Sequence, residues 1–227
     1  MHKIADKLTQ VHDRIEKTAL RSHRDKSDVL LLAVSKKHGA DKIREAYDWG
    51  QRDFGENYLQ ESIEKQDALK DLAINWHFIG PIQSNKTRAI AENFDWVHSV
   101  DRLKIAERLN NQRPPELGPI NICLQVNIDN EASKSGVLPE DVADLAEQVS
   151  KMPLLRLRGL MAIPQKQSSD AASPHNRMRT LFEQTKNKLP EDFDTLSLGM
   201  SGDLEAAIEN GATIVRIGTD IFGSREA

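Results

Sequence analysis

Eight short runs of apolar and β-branched residues alternate along this chain with amphipathic segments of helical periodicity. Such alternation indicates βαβ units and a parallel sheet. Eight units in about 200 residues predict an α/β fold, a single (β/α)₈ barrel of the TIM type. The predicted strands are Val29–Ser35, Arg52–Gly55, Trp76–Gly80, Trp96–Val100, Ile120–Ile128, Leu155–Ile163, Thr195–Gly199 and Ile214–Gly218. Helices are predicted near 40–49, 56–70, 84–93, 101–110, 139–151, 174–188 and 203–210.

An open, doubly wound sheet is the alternative to the closed barrel. No G-x-G-x-x-G follows the first predicted strand, so a dinucleotide-binding sheet lacks its phosphate loop. We therefore expect residues 1–227 to form one barrel domain, with flexible loops at 113–119 and 164–174.

The chain has one helix more at its start than the barrel needs and too little chain at its end. Ile4, Leu8, Val11 and Ile15 make one apolar stripe on a helix predicted over 2–20. After the eighth strand only TDIFGSREA remains, which is too short for a full outer helix. We expect the N-terminal helix to cover the surface left bare.

Composition excludes several classes of protein. The 31 Lys and Arg residues against 35 Asp and Glu give a net charge of -4, which argues against a general nucleic-acid binder. There is no run of 18 apolar residues and no secretion signal at the start, so we expect a cytoplasmic protein without membrane contact. Cys123, the single cysteine, excludes an internal disulfide and a multi-cysteine metal site, and its apolar surroundings predict a core position.

The first predicted strand, LLAVSKKHG at 31–39, ends on Lys36. Either this lysine is solvated where the strand reaches the surface, or the strand delivers an amine into a site. In barrels, functional groups lie at the carboxyl ends of the strands. Polar residues and glycines do follow most of the strands, which favours the second interpretation; they include Asn57, His77, Asn127, Lys134, Met161, Ser201, Arg216, Gly218 and Thr219.

The last two units carry the strongest pattern. Ser201 and Gly202 precede a short helix and would present backbone N–H groups to an anion, next to Gly218 and Thr219 at the tip of the eighth strand. Phosphate sites in barrels are often built from these two loops. An ordinary capped helix beside an ordinary turn is the alternative.

Arg216 lies within TIVRIG, between β-branched residues. Alternation places it on the same face as Gly218, so it points into the barrel if Gly218 faces a ligand. A buried guanidinium needs an acceptor. A strand-end lysine, a phosphate cradle and this arginine are the set that holds pyridoxal 5′-phosphate (PLP), with the lysine as Schiff base and the arginine at the pyridine nitrogen. Because arginine keeps its proton, that nitrogen should stay unprotonated and the ring should be a weak electron sink.

Motifs across the chain resemble the pyridoxal phosphate homeostasis protein family, whose barrel is similar to the N-terminal domain of alanine racemase. The matching segments are AVSK at 33–36, FGENYLQE at 54–61, WHFIGPIQSNK at 76–86, GLMAIP at 159–164, SLGMSGDLEAAIENGAT at 197–213 and VRIGTDIFGSR at 215–225. The resemblance implies that Lys36 carries PLP, that Ser201, Gly218 and Thr219 hold its phosphate, and that Arg216 faces its ring nitrogen. It implies more loosely that Asn57, His77 and Met161 line the pocket.

The resemblance implies a role in vitamin B6 and amino-acid homeostasis without an established reaction. We expect a monomer that hands PLP to apo forms of PLP-dependent enzymes. Two segments depart from the family pattern, Lys37-His38-Gly39 and Pro81-Ile82. An amino-acid racemase is the alternative, but alanine-type racemases add a C-terminal domain with a catalytic tyrosine, and this chain has only Tyr47 and Tyr58. A serine hydrolase is a weaker alternative, because the segment GMSGD has Asp203 where the motif G-x-S-x-G has its last glycine.

Overall fold

The computed structural model describes residues 3–131, 133–165 and 173–223. Each strand in these ranges is parallel to the next, and the last pairs with the first, which closes the barrel. The strands are β1 Leu30–Val34, β2 Asp53–Glu56, β3 Asn75–Phe78, β4 Trp96–Val100, β5 Ile120–Val126, β6 Leu155–Ala162, β7 Thr195–Ser197 and β8 Ile214–Ile217. The predicted (β/α)₈ barrel is confirmed, and the closed order excludes the open sheet.

Helices follow the strands on the outside of the barrel. Their bounds are α1 Ile4–Arg21, α2 Ala40–Trp49, α3 Leu59–Ala68, α4 Thr87–Asn93, α5 Leu103–Gln112, α6 Val142–Ser150, α7 Pro174–Lys186, α8 Leu204–Glu209 and α9 Thr219–Phe222. The predicted loop at 113–119 contains a short 3₁₀ turn, Pro115–Leu117. Most of the predicted loop at 164–174 lies outside the described residues.

The N-terminal helix α1 buries the stripe that the sequence predicts. Ile4, Leu8, Val11 and Ile15 are all buried, and α1 packs against α2, α8 and α9. Because α9 is only four residues long, α1 takes the place of a full outer helix after β8. The predicted extra helix is confirmed. Within the described ranges, no helix combines the length and apolar character that crossing a bilayer requires.

Side chains alternate between the two faces of the barrel wall. Val215 and Ile217 of β8 face outward into the main core, between the strands and the helices. Ile214 faces inward, into a small apolar cluster with Leu32, Val34 and Ile79. Cys123 is fully buried, as expected, and burial raises the pKa of its thiol to about 12.

Candidate functional site

The end of β1 places Lys36 at the carboxyl mouth of the barrel. Its side chain is half-buried, two residues beyond the last strand residue, Val34. The next residue, Lys37, has a φ of 62°, a left-handed conformation that is uncommon for a residue other than glycine. The Lys37 N–H donates to Glu61 Oε1 at 2.6 Å, and this contact holds the bend directly after Lys36.

A buried ion-pair cluster supports the segment that carries Lys36. Lys65 Nζ donates to Glu56 Oε1 at 2.7 Å, to Glu61 Oε1 at 2.5 Å and to the carbonyl of Ser35 at 2.9 Å. Ser35 Oγ donates to Glu56 Oε1 at 2.6 Å. Burial raises the pKa of Glu56, and the neighbouring Lys65 opposes that change. This cluster fixes the backbone on both sides of Lys36, and sequence analysis missed it.

Arg216 lies inside the barrel, which is the orientation expected if Gly218, on the same face of β8, faces a ligand. It is buried, with Nη1 donating to Ser197 Oγ and Nη2 donating to the carbonyl of Ala162, both at 2.8 Å. Burial lowers the pKa of Arg216 to about 10, which leaves it protonated at neutral pH.

A chain of hydrogen bonds leads from Arg216 across the barrel interior. Ser197 Oγ is 2.8 Å from His98 Nδ1, His98 Nε2 is 2.9 Å from His77 Nδ1, and His77 Nε2 is 3.2 Å from Asp53 Oδ1. Arg216 can only donate to Ser197 Oγ, and the Asp53 carboxylate can only accept from His77 Nε2. Burial lowers the pKa of His98 well below 6.5, so its neutral ring donates through one nitrogen and accepts through the other.

The same chain places His77 away from the mouth. Both of its ring nitrogens are engaged, its ring stacks on Trp96 with centroids 5.4 Å apart, and its side chain is fully buried. A pocket-lining role for His77, which the family resemblance implied, stays a prediction, and both ring nitrogens already have partners within the barrel interior. His77 connects to Arg216 through His98 and Ser197.

Asn57 and Met161 occupy two different surroundings. Met161 is fully buried and pairs in register with Ser197, whose side chain points into the barrel. Asn57 follows β2 and lines a cavity of about 220 Å³ together with Ile79, Gln125, Asn127, Lys134 and Ile163. Among the described residues, Asn57 Oδ1 is buried without a hydrogen-bond partner. A Cβ on Gly80 would lie 2.2 Å from the Asn57 carbonyl oxygen, so only glycine permits this close approach.

The loops after β7 and β8 bring the predicted anion-binding groups to the strand ends beside β1. Ile217 pairs with Ala33, so Gly218 lies level with the end of β1, and a Cβ there would be 3.1 Å from the Val34 carbonyl oxygen. Among the described residues, no hydrogen-bond acceptor is found for the backbone N–H groups of Ser201, Gly202, Gly218 and Thr219.

Asp203 shapes the loop after β7. It accepts from the Met200 N–H at 2.7 Å and lies 2.8 Å from His175 Nε2. Burial acts to raise the pKa of Asp203, but these two hydrogen bonds lower it overall. Gly199, with a φ of 96°, makes the turn that starts this loop. The loops therefore offer free N–H donors next to an amine and a guanidinium, a combination suited to an anion that also carries a carbonyl group.

Comparison with known proteins identifies the family. Residues 9–226 match the family described as alanine racemase, N-terminal domain. The pyridoxal phosphate homeostasis protein of Pseudomonas aeruginosa is 58% identical over 226 residues, which cover 100% of this chain and 97% of the relative.

Two solved structures have similar folds. The structure of PipY from Synechococcus elongatus with PLP bound has a TM-score of 0.82 and 38% identity, covering 97% of this chain and 100% of that one. An alanine racemase from Corynebacterium glutamicum has a TM-score of 0.70 at 14% identity, covering 97% of this chain and 61% of that one, and shows a likeness of fold alone. The chain belongs to the pyridoxal phosphate homeostasis protein family, as its motifs predict, and its barrel is of the alanine racemase N-terminal type.

Proposed function

We propose that the protein binds PLP through a Schiff base on Lys36 and serves PLP homeostasis rather than turnover of a substrate. The observation that carries the proposal is the meeting of three groups at adjacent strand ends. Lys36 follows β1, the unpaired N–H groups of Gly218 and Thr219 follow β8, and those of Ser201 and Gly202 follow β7. The PLP bound in PipY and the names of the relatives support the same ligand.

The residues at the site match the groups of PLP one by one. Backbone N–H groups at two loop ends suit a phosphate. The amine of Lys36 suits the aldehyde, with which it condenses by losing water. Asn57 Oδ1, buried and without a partner among the described residues, can accept a hydrogen bond from the ligand.

Arg216 is the residue we assign to the pyridine nitrogen. It carries five N–H donors, and two of them are used by Ser197 and the Ala162 carbonyl. Its pKa of about 10 keeps it a donor at neutral pH. PLP is an electron sink mainly when its ring nitrogen is protonated, and a nitrogen that accepts from Arg216 is not. This arrangement favours retention of PLP over racemisation, the alternative function.

The Schiff base is tested by borohydride reduction of the PLP-loaded protein followed by peptide mapping. We expect the pyridoxyl group on Lys36 and no incorporation in Lys36→Ala. The matched control is Lys37→Asn, because asparagine tolerates the positive φ at that position. A pyridoxyl group on another lysine, with Lys36 unmodified, would refute the assignment.

The homeostatic role is tested by two assays with the same preparation. Chiral chromatography should show no racemisation of L-alanine or other amino acids at an enzymatic rate, whereas an apo PLP-dependent enzyme should regain activity when mixed with the loaded protein. Racemisation on the order of 1 s⁻¹ or faster, abolished in Lys36→Ala, would establish the racemase instead.

A further inference from the structure

The N-terminal helix reaches the candidate phosphate loops through one side chain, Arg14. Its Nε donates to Glu205 Oε1 at 2.9 Å, and its Nη2 donates to Glu205 Oε2 at 3.1 Å. Its Nη1 donates to Asp220 Oδ2 at 2.7 Å, and its Nη2 also donates to the carbonyl of Ser201 at 3.2 Å. One guanidinium therefore contacts three residues: Ser201 in the loop after β7, Glu205 at the start of α8 and Asp220 at the start of α9.

These contacts fall directly beside the predicted phosphate donors. Ser201 is itself one of the donors, and Glu205 lies in the first turn of α8, just after that loop. Asp220 lies in α9, next to Thr219. Arg14 thus connects the loop after β7 to the loop after β8. A planar guanidinium that binds several acceptors fixes their relative positions better than a lysine could.

The same contacts balance charge at the cradle. Without Arg14, the carboxylates of Glu205 and Asp220 would oppose an anion bound at the neighbouring N–H groups. Hydrogen bonding from Arg14 lowers the pKa of Glu205, so this carboxylate stays charged and needs its partner. The side chains of Arg14, Glu205 and Asp220 are about one-third exposed, and ion pairs of that kind contribute little to folding stability. Their effect should therefore appear in ligand binding more than in stability.

We propose that Arg14 is a positioning residue for the phosphate of the ligand. Through it, the helix outside the (β/α)₈ repeat holds the two phosphate loops at the correct spacing and screens their carboxylates. This inference rests on the proposed function, because it takes the phosphate of PLP as the anion. It concerns the phosphate end alone, and the amine of Lys36 lies outside the contacts of Arg14 that are described above.

The test compares two ligands that differ only in the phosphate. Dissociation constants for PLP and for pyridoxal are measured by absorbance titration of wild-type and Arg14→Gln protein. We expect Arg14→Gln to weaken PLP binding by about tenfold, within the range typical of coupling between linked sites. Pyridoxal binding should change by less than about twofold, because pyridoxal has no phosphate to place.

Two variants serve as controls. Arg44→Gln removes another bidentate ion pair, in which Arg44 of α2 contacts Asp71 at 2.7 and 2.9 Å, and it should leave both constants unchanged. Arg14→Lys keeps the charge but loses the planar guanidinium that binds several acceptors at once, and it should lose part of the PLP affinity. It also keeps the test available if Arg14→Gln fails to fold.

The outcomes separate this inference from the function on which it rests. The positioning role would be overturned if the Arg14 variants weakened PLP and pyridoxal binding equally, or if they left PLP binding unchanged. The proposed function would still stand in that case, provided that the wild-type protein binds PLP more tightly than pyridoxal. A wild-type protein that binds PLP no better than pyridoxal would refute the phosphate cradle itself. Weakening confined to PLP in the Arg14 variants, and absent in Arg44→Gln, would support the inference.

Discussion

Ser197 is the residue that joins Arg216 to the rest of the barrel interior. Its hydroxyl accepts from Arg216 Nη1 and is hydrogen-bonded to His98 Nδ1, each at 2.8 Å. Both partners are buried, and the pKa of His98 is lowered well below 6.5 by burial and by the nearby His77 and Arg216. A buried group that loses its partner costs more than the hydrogen bond itself contributes.

Ser197→Ala should therefore reduce the free energy of unfolding by about 2 kcal/mol, since it leaves a donor on Arg216 and a ring nitrogen of His98 unpaired. It should also shift the absorbance of bound PLP, because Arg216 would lose one of its supports. Urea unfolding and visible spectra measure the two effects.

The matched control is Ser62→Ala, in which the lost hydroxyl donates only to the Tyr58 carbonyl. That carbonyl still accepts from the Ser62 N–H at 2.9 Å, so the loss in the free energy of unfolding should stay below about 1 kcal/mol. Equal destabilisation by the two variants, with no spectral change in Ser197→Ala, would contradict a special role for the interior chain.

At the scale of elements, α1 contributes to the fold as an outer helix although it precedes the first strand. Its buried stripe covers the region beside the four-residue α9, and its Arg14 contacts the loops at the carboxyl mouth. One helix thus combines packing along its length with one side chain, Arg14, that contacts the candidate site. The two roles can be separated by mutating different positions on it.

Leu8→Ala should reduce the free energy of unfolding by about 3 kcal/mol, because Leu8 is fully buried and its truncation leaves a cavity. Leu20→Ala, on the same helix but with Leu20 64% exposed, should change it by less than about 0.5 kcal/mol. Chemical denaturation of both variants measures the difference. Similar values would show that α1 does not pack on the barrel as described.

At the scale of the whole molecule, the buried His98 couples stability to pH. The native state holds His98 neutral at pH values where the unfolded chain, with a pKa near 6.5, takes up a proton. The unfolded state then binds more protons, so stability is retained above pH 6.5 and falls as the pH decreases below it. The slope from this group approaches about 1.4 kcal/mol per pH unit. Burial raises the pKa of Glu56, so this group acts in the opposite direction: between pH 4.5 and its native pKa, its contribution to stability increases as the pH decreases.

Unfolding free energies measured from pH 7 to pH 5 should decline in the wild type, and the decline should be smaller in His98→Asn, which cannot titrate. The control is His23→Asn at an exposed position with a φ of 55°, which asparagine tolerates. This control should keep the wild-type slope. A His98→Asn slope equal to that of the wild type would show that His98 takes up its proton without unfolding.

The alternation of short strands and amphipathic helices was enough to predict the barrel, the position of each strand to within two residues and the extra helix. These features depend on local periodicity, which a single sequence displays directly. Alternation along β8 placed Arg216 on the same face as Gly218, since side chains on a strand change face at every residue, but it did not by itself decide whether that face is the inner one. The rule that barrel sites lie at the carboxyl ends of the strands selected Lys36 and the loops of Ser201 and Gly218 as candidates.

The partners of those residues were decided only by the tertiary structure. His98 meets Ser197 across 99 positions of the sequence, and Arg14 meets Asp220 across 206. Periodicity assigns a residue to a face, but it does not say how deep in the barrel the side chain lies or which distant side chain it meets. His77 illustrates the limit, because its strand and its face could be predicted and its place in the interior chain could not. Closure of the barrel sets those depths and distances, and closure depends on the packing of all eight strands together.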